Sequence, residues 1–306
     1  MGIPHDTGAF GDLLDPRFQK IFRDQYRELP DMLPTLFEFP ADNGRGDMRW
    51  SEVGEFGDFS AFSGSVIYDQ QFQGFDATQT HLEFASGMQV TRKMFDDDLY
   101  NIMDRKPAGL ATAANRSRQK HAARLFENAA SVDTFFYNHS EAVSLVSDSH
   151  TTNADGVDTS SGFDNAGTSA LSATAVAAAR IQMVGYRDDR GNRIAIMPDE
   201  IWIPNALYEV AFEIVSSRGK VDTADNNANV HNGQYNIHEW NYMDDANNWF
   251  MGDSAKRKEH LHWVDRVPLE FAMAEDLDTI IAKWRAYMRY SWVWTNWRWV
   301  FGAIVS

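Results

Sequence analysis

A mixed helix and strand fold is what this sequence predicts, and three stretches carry the prediction. Residues 93–132 hold apolar side chains at helical spacing, and residues 194–219 read as a strand running into a helix. Residues 284–301 alternate aromatic and polar side chains with a period of two. With 306 residues, 43% hydrophobic and 13% aromatic, the chain has material for one large domain or two ordinary ones. That composition lies far from a disordered segment. It contains no cysteine, which removes disulfides, thiolate zinc sites and cysteine nucleophiles together. No stretch of about eighteen uncharged apolar residues occurs, so no membrane-spanning helix is expected. The N-terminus lacks the basic flank and apolar stretch of a signal peptide.

Taken in order, Phe18, Ile21, Phe22 and Tyr26 fall near helical spacing, and Pro30 and Pro34 follow. They predict a short amphipathic arm ending near Glu28. Residues 40–76 change character: glycines at 44, 46, 54, 57, 64 and 74 are interleaved with Trp50, Phe56, Phe59, Phe62, Phe72 and Phe75. Such a stretch is too long for an ordinary internal connection, and phenylalanines have no purpose in a bare linker. It either folds over its own domain as a lid or extends to rest on another body. Residues 80–91, THLEFASGMQVT, then return as an imperfect strand broken at Gly87.

In the long helix, Asp96, Asp97 and Asp98 suit an N-cap and first turn. Leu99, Ile102, Met103, Leu110, Ala113, Ala114, Ser117, Leu125 and Ala129 trace one stripe, with a kink expected at Pro107. Residues 148–167 are loop, and the fragment Asp155 to Asp158 is too short for a calcium loop. A helix follows from Ser169 to about Gly185. Ile194 to Ile203 then reads as strand, Pro204 suits a first helical turn and Gly219 a stop. This unit has neither the dinucleotide glycine fingerprint nor a Walker lysine.

After a polar loop at 220–236, residues 235–253 and 259–271 are strand-rich. His260 and His262 share a strand face in this reading, but Glu259 and Asp265 have the wrong parity to complete a metal site. In the tail, Trp284, Ala286, Met288, Tyr290, Trp292 and Trp294 point one way, and Arg285, Tyr287, Arg289, Ser291 and Val293 the other. With a turn at Thr295 and Asn296, the pattern predicts a β-hairpin with one strongly apolar side. Left in water, that side would form a large sticky patch. A core or subunit contact is therefore favoured over a ligand platform.

The net charge of −16 is uneven, because residues 92–127 carry 8 basic and 5 acidic groups. Arg105, Lys106, Arg116, Arg118, Lys120 and Arg124 occur with no acid between them. The plain reading is a solvated helix face.

The order of these elements resembles the tailed-phage major capsid protein of the Hong Kong 97 fold, and within it the Mu-type major head subunit group. Four stretches carry the resemblance. YDQQFQGFDATQTHLEFASGMQVTRKMFDDDLYNIMDRKPAGLATAANRSRQKHAARLFENA is similar to the return limb of an extended E-loop entering a spine helix. DSHTTNADG is similar to the loop that follows, and GNRIAIMPDEIWIPNALYEVAFEIV to the axial-domain strand, proline and helix. WNYMDDANNWFMGD with DLDTIIAKWRAYMRYSWVWTNWRWVFG is similar to the closing segment. The likeness covers roughly residues 40–306, and it lies in the ordered set rather than in any one motif.

The resemblance implies an α+β, Hong Kong 97-like capsid subunit. Residues 1–39 would be an N-terminal arm and the start of the peripheral domain, and 40–91 the E-loop. Residues 92–140 would be the spine helix of the peripheral domain, 141–258 the axial domain, and 259–306 closing strands. It implies copies in hexamers and pentamers tiling an icosahedral shell around phage DNA, in a virion assembled in the host cytoplasm. Neither catalytic residue, cofactor, metal nor membrane is expected. Arg45, Arg49, Trp50, Phe56, Phe59, Phe62 and Phe72 become candidate inter-subunit contacts. Arg105, Lys106, Arg116, Arg118, Lys120 and Arg124 become candidate inner-face contacts to packaged DNA, nonspecific and salt-sensitive. A portal and a decoration protein are further expected partners. Residues 40–92 contain no lysine, so locking is expected to be noncovalent. Met1 stands some forty residues before the E-loop, so a separate scaffolding protein is expected. Two other readings are an encapsulin-type nanocompartment shell and a tryptophan-rich carbohydrate-binding protein.

Overall fold

Both sequence periods become regular elements in the computed structural model, which describes residues 8–59, 61, 62, 64–66, 68, 71–91, 93, 102–219, 228–276 and 281–305. Its helices are α1 (Gly8–Glu28), α2 (Leu33–Leu36), α3 (Ile102–Glu127), α4 (Ala173–Val184), α5 (Tyr208–Ser216) and α6 (Ser254–His260). The strands are β1 (Asp47–Val53), β2 (Gln73–Thr80), β3 (Leu82–Thr91), β4 (Tyr137–His139), β5 (Ala166–Gly167) and β6 (Glu200–Ile203). They continue with β7 (Asn236–Glu239), β8 (Trp249–Gly252), β9 (Leu261–Asp276), β10 (Ile281–Trp294) and β11 (Val300–Ala303). The chain forms two units. One comprises Met1–Thr35, His81–Ala122 and Val264–Ser291, the other Leu36–Thr80, Ala123–Trp263 and Trp292–Ser306.

In the first unit, β10 lies between β3 and β9. Phe18 and Phe22, one helical turn apart on α1, are both buried. Phe18 meets Trp284 edge-on at 5.2 Å, and Phe22 stacks on Phe271 at 4.7 Å and packs with Leu110, Ala111 and Ala286. Each such phenylalanine contributes roughly 1.5–3 kcal/mol by leaving water. The arm ends at Glu28 as its spacing predicts, although the helix begins earlier, at Gly8. Pro34 does not forbid the short α2, because it stands in a first turn, where no helical N–H is needed.

Gly87 does not break the return strand. β3 runs unbroken opposite β10, and a Cβ at Gly87 would come 2.7 Å from the Trp284 carbonyl oxygen. Glycine is there to let two backbones approach. Asp96, Asp97, Asp98 and Leu99 lie outside the described residues.

In the second unit, five strands run in the order β5-β11-β8-β6-β7. Phe126 packs on Phe250 at 4.9 Å and Trp202 at 5.7 Å, with Trp240 beside Trp202 at 6.1 Å. Glu200 and Arg257 form a buried two-point pair, Nε to Oε1 at 2.5 Å and Nη2 to Oε2 at 3.1 Å. Nη1 of Arg257 donates to the Leu36 carbonyl. A Cβ at Gly252 would come 2.9 Å from the Glu200 carboxylate. α4 is closed by Ser172, whose hydroxyl accepts from the Ala175 N–H, and by Gly185.

Two strand expectations need correction. The tail is not a hairpin: β10 pairs with β3 and β9, whereas β11 pairs with β5 and β8. The turn between them directs the chain elsewhere, with the Thr295 N–H donating to the His260 carbonyl and Asn296 Oδ1 accepting from the Arg298 N–H. Nor do His260 and His262 share a strand face, because His260 is the last residue of α6.

Candidate assembly surfaces

β1 and β2 form an antiparallel ribbon from Asp47 opposite Thr80 to Ser51 opposite Asp76, with a bulge before Val53 opposite Gln73. Its last described rung is the Gly54 N–H donating to the Phe72 carbonyl at 2.9 Å. Close packing within the ribbon is set by Gly74, where a Cβ would stand 2.7 Å from that of Glu52. Trp50 anchors the ribbon, stacked on His262 at 4.3 Å with its Nε1–H donating to Gln79 Oε1. Phe72 is half-buried, with the Arg190 guanidinium 5.5 Å from its ring centre. Beyond that rung the apolar side chains face water: Phe56 is 67% exposed, Phe62 76% and Phe59 fully so. Arg45 and Arg49 are exposed as well. Three large apolar side chains of this segment therefore stand in solvent in the single chain.

The ribbon is tied down by a polar set that sequence reasoning missed. Glu52 accepts from Asn296 Nδ2 at 2.7 Å, beside a cavity of about 390 Å³ also lined by Asp189, His260 and Arg298. Burial pushes the Glu52 carboxyl up to about 7, against the attraction of Arg298. Burial also pushes His260 down to about 4. Arg298 is buried, with its guanidinium 4.8 Å from the Trp297 ring centre, and burial lowers its pKa. The sequence signal was an arginine inside an aromatic run, but its partner stands far away in sequence. Among the described residues, no group of three or more metal-ligating side chains comes together.

The basic stretch divides. Arg105, Lys106, Arg116 and Lys120 are exposed on α3, with Arg105, Arg116 and Lys120 on one face at 3.6 residues per turn. Arg118 is buried and makes two 2.9 Å bonds to Asp265, and Arg124 pairs with Asp133 at 2.8 Å while lying over Phe135. These two hold the fold together.

The tryptophans offer no ligand platform. Trp284, Trp292, Trp294, Trp297 and Trp299 are all at most 2% exposed.

No curated protein matches the sequence. Solved structures do match the fold. The mature capsid of bacteriophage PhiM1 aligns with a TM-score of 0.60 at 8% identity, over 91% of this chain and 88% of that one. The capsid of the cyanophage P-SCSP1u aligns at 0.57 with 12% identity, over 89% and 86%. The capsid of a native GTA particle aligns at 0.57 with 12% identity, over 91% of each chain. The fold is therefore the Hong Kong 97-like capsid fold, and neither a nanocompartment shell nor a carbohydrate-binding protein finds support among them. Residues 77–303 match the family described as phage capsid protein, and with most of its length inside that match the chain belongs to the phage capsid protein family.

Proposed function

We propose that this capsid protein is the major head subunit of a tailed phage, and that its copies, as hexamers and pentamers, tile an icosahedral shell around double-stranded DNA. The observation that carries this reading is the ribbon tip. A subunit of a shell-forming family holds Phe56, Phe59 and Phe62 in water, where a neighbouring copy can cover them. Residues 40–91 then act as the E-loop, lying over a sister copy and locking it without a covalent bond. Residues 1–39 are the arm, 92–140 the spine, 141–258 the axial domain and 259–306 the closing strands.

Arg105, Lys106, Arg116 and Lys120 form the face offered to packaged DNA, and the surrounding acidic balance keeps that attraction weak and nonspecific. The subunit performs no chemistry. Its partners are sister copies, a scaffolding protein and a portal, and assembly takes place in the host cytoplasm. Sedimentation velocity and negative-stain microscopy at rising protein concentration test the reading. Capsomer rings or closed shells are expected. A chain that stays monomeric throughout overturns it.

A further inference from the structure

Two helices of the second unit have a composition that does not match their exposure. α4 reads ATAVAAARIQMV, and Arg180 is its only charge. Its inner face, Ala175, Val176, Ala179 and Met183, is buried, yet Ile181 is 72% exposed and Val184 43%. A helix apolar on every side belongs inside a larger body. The outer face of α4, Ile181 and Val184 beside the exposed Arg180, lacks a cover within its unit.

α5 shows the same mismatch with the opposite charge. Ala211, Ile214 and Val215 face inward. Tyr208 and Phe212, one turn apart, are 43% and 51% exposed, and their rings stack at 6.1 Å. Glu209 and Glu213, also one turn apart, are exposed beside them. α4 packs against β8 and β11, whereas α5 packs against β7, the last strand of the sheet. One unit thus carries a basic apolar face on the helix over β8 and β11 and an acidic aromatic face on the helix beside the edge strand β7.

We infer that the α4 face of one copy docks on the α5 face of the next, with Arg180 set against Glu209 and Glu213, joining copies head to tail into a closed ring. The inference rests on the shell reading and names the surfaces through which neighbours in a ring meet. A contact between two different patches cannot close as a symmetric pair, so it repeats head to tail, and in a closed shell that repetition runs around a rotation axis. Second copies are the fitting occupant because each face finds the matching apolar surface and opposite charge on this same chain. Like charges brought together in such a contact oppose docking strongly.

Charge reversal on each side tests it. Arg180→Glu alone, and Glu209→Lys with Glu213→Lys alone, are each expected to stay as free subunits under conditions where the unchanged chain forms rings. Mixed in equal amounts they are expected to form rings again, and only even-membered ones, because every contact needs one of each variant. Assembly of either variant alone, as efficient as that of the unchanged chain, overturns the contact.

A second measurement does not depend on charge. The chain has no cysteine, so Ile181→Cys with Phe212→Cys places the only two thiols on the two faces. Under oxidation, assembled protein is expected to give a ladder of cross-linked multimers on a denaturing gel. Shells that form without a ladder sink this contact and leave the shell reading standing, whereas an unchanged chain that forms neither rings nor shells sinks both.

Discussion

Two aromatic-rich regions of this molecule meet opposite fates. The tail carries Trp284, Trp292, Trp294, Trp297 and Trp299, none more than 2% exposed. The ribbon tip carries Phe56, Phe59 and Phe62, none less than 67% exposed. Their chemistry is alike, so hydrophobicity alone does not separate them. The backbone does. β10, which carries Trp284, Trp292 and Trp294, is an interior strand with a partner on each side, and Trp297 and Trp299 lie in the short connection from it to the equally interior β11. Past the Gly54 to Phe72 rung, no described residue of the tip belongs to a strand. The tail closes a core that exists in one copy, whereas the tip leaves its phenylalanines in water in that copy, and the shell reading proposed above assigns their cover to a second one.

Trp294 is where the tail depends most on burial by its own chain. Its Nε1–H donates to the Tyr137 hydroxyl at 2.6 Å, and its ring stacks on His139 at 4.2 Å. Burial raises the pKa of Tyr137, so that hydroxyl stays neutral and needs its partner. Trp294→Ala empties a large site and removes that donor, and should cost about 3–5 kcal/mol of unfolding free energy. Denaturant unfolding reads it directly. An unchanged midpoint would mean that the tail is no more a core than the tip.

The base of the ribbon sharpens the comparison through pH. Glu52 stays protonated up to about 7 when folded, against 4.5 for an ordinary carboxyl, because it is buried. Its contribution is full below 4.5 and is lost as pH rises through about 7. His260, pushed by burial from 6.5 to about 4, has the opposite sign: its contribution is full above 6.5 and is lost as pH falls through about 4. Between these limits the contributions of the two groups oppose each other. Glu52→Gln removes only the falling slope. From pH 4.5 to 6.5 its stability should rise more than that of the unchanged chain, by up to ~3 kcal/mol, because each pH step of one crossed there is worth ~1.4 kcal/mol. A profile no steeper than that of the unchanged chain would deny Glu52 this role.

What could be read in the sequence follows the same division between local and distant causes. The arm ending at Glu28, the end of α4 near Gly185, and the proline and helix after Ile203 were legible because spacing and stops are local. By contrast, α4 begins at Ala173 rather than Ser169, and only Glu200–Ile203 of the strand expected from Ile194 is formed. Period two in the tail correctly gave the faces of Trp284, Ala286, Met288 and Tyr290. It was silent on which strands would pair, and the hairpin reading failed there. Alternation also ends at Ser291, beyond which the strand is buried on both faces. His260 was misplaced because an α6 of seven residues leaves little periodic signal. Arg118 looked like its basic neighbours, and only Asp265, far along the chain, gives it another task. Glu52, Asn296 and Arg298 meet across most of the sequence, so no window contains them together.

The smallest effect on the single chain, and the sharpest test of the comparison, comes at Phe59. Its ring touches nothing that hides it, being fully exposed, so Phe59→Ala should leave the unfolding midpoint of the dispersed subunit where it was. The same change should weaken assembly, because a phenylalanine buried between copies contributes roughly 1.5–3 kcal/mol, or about 10- to 100-fold in the affinity of each contact. Light scattering against protein concentration, run beside denaturant unfolding of the dispersed chain, separates the two readouts. Loss of stability without loss of assembly would place Phe59 in its own subunit's core, and the tip would then be a lid. Loss of assembly with stability intact is the outcome that a surface made for a sister copy requires, and it is the reverse of what Trp294→Ala should do.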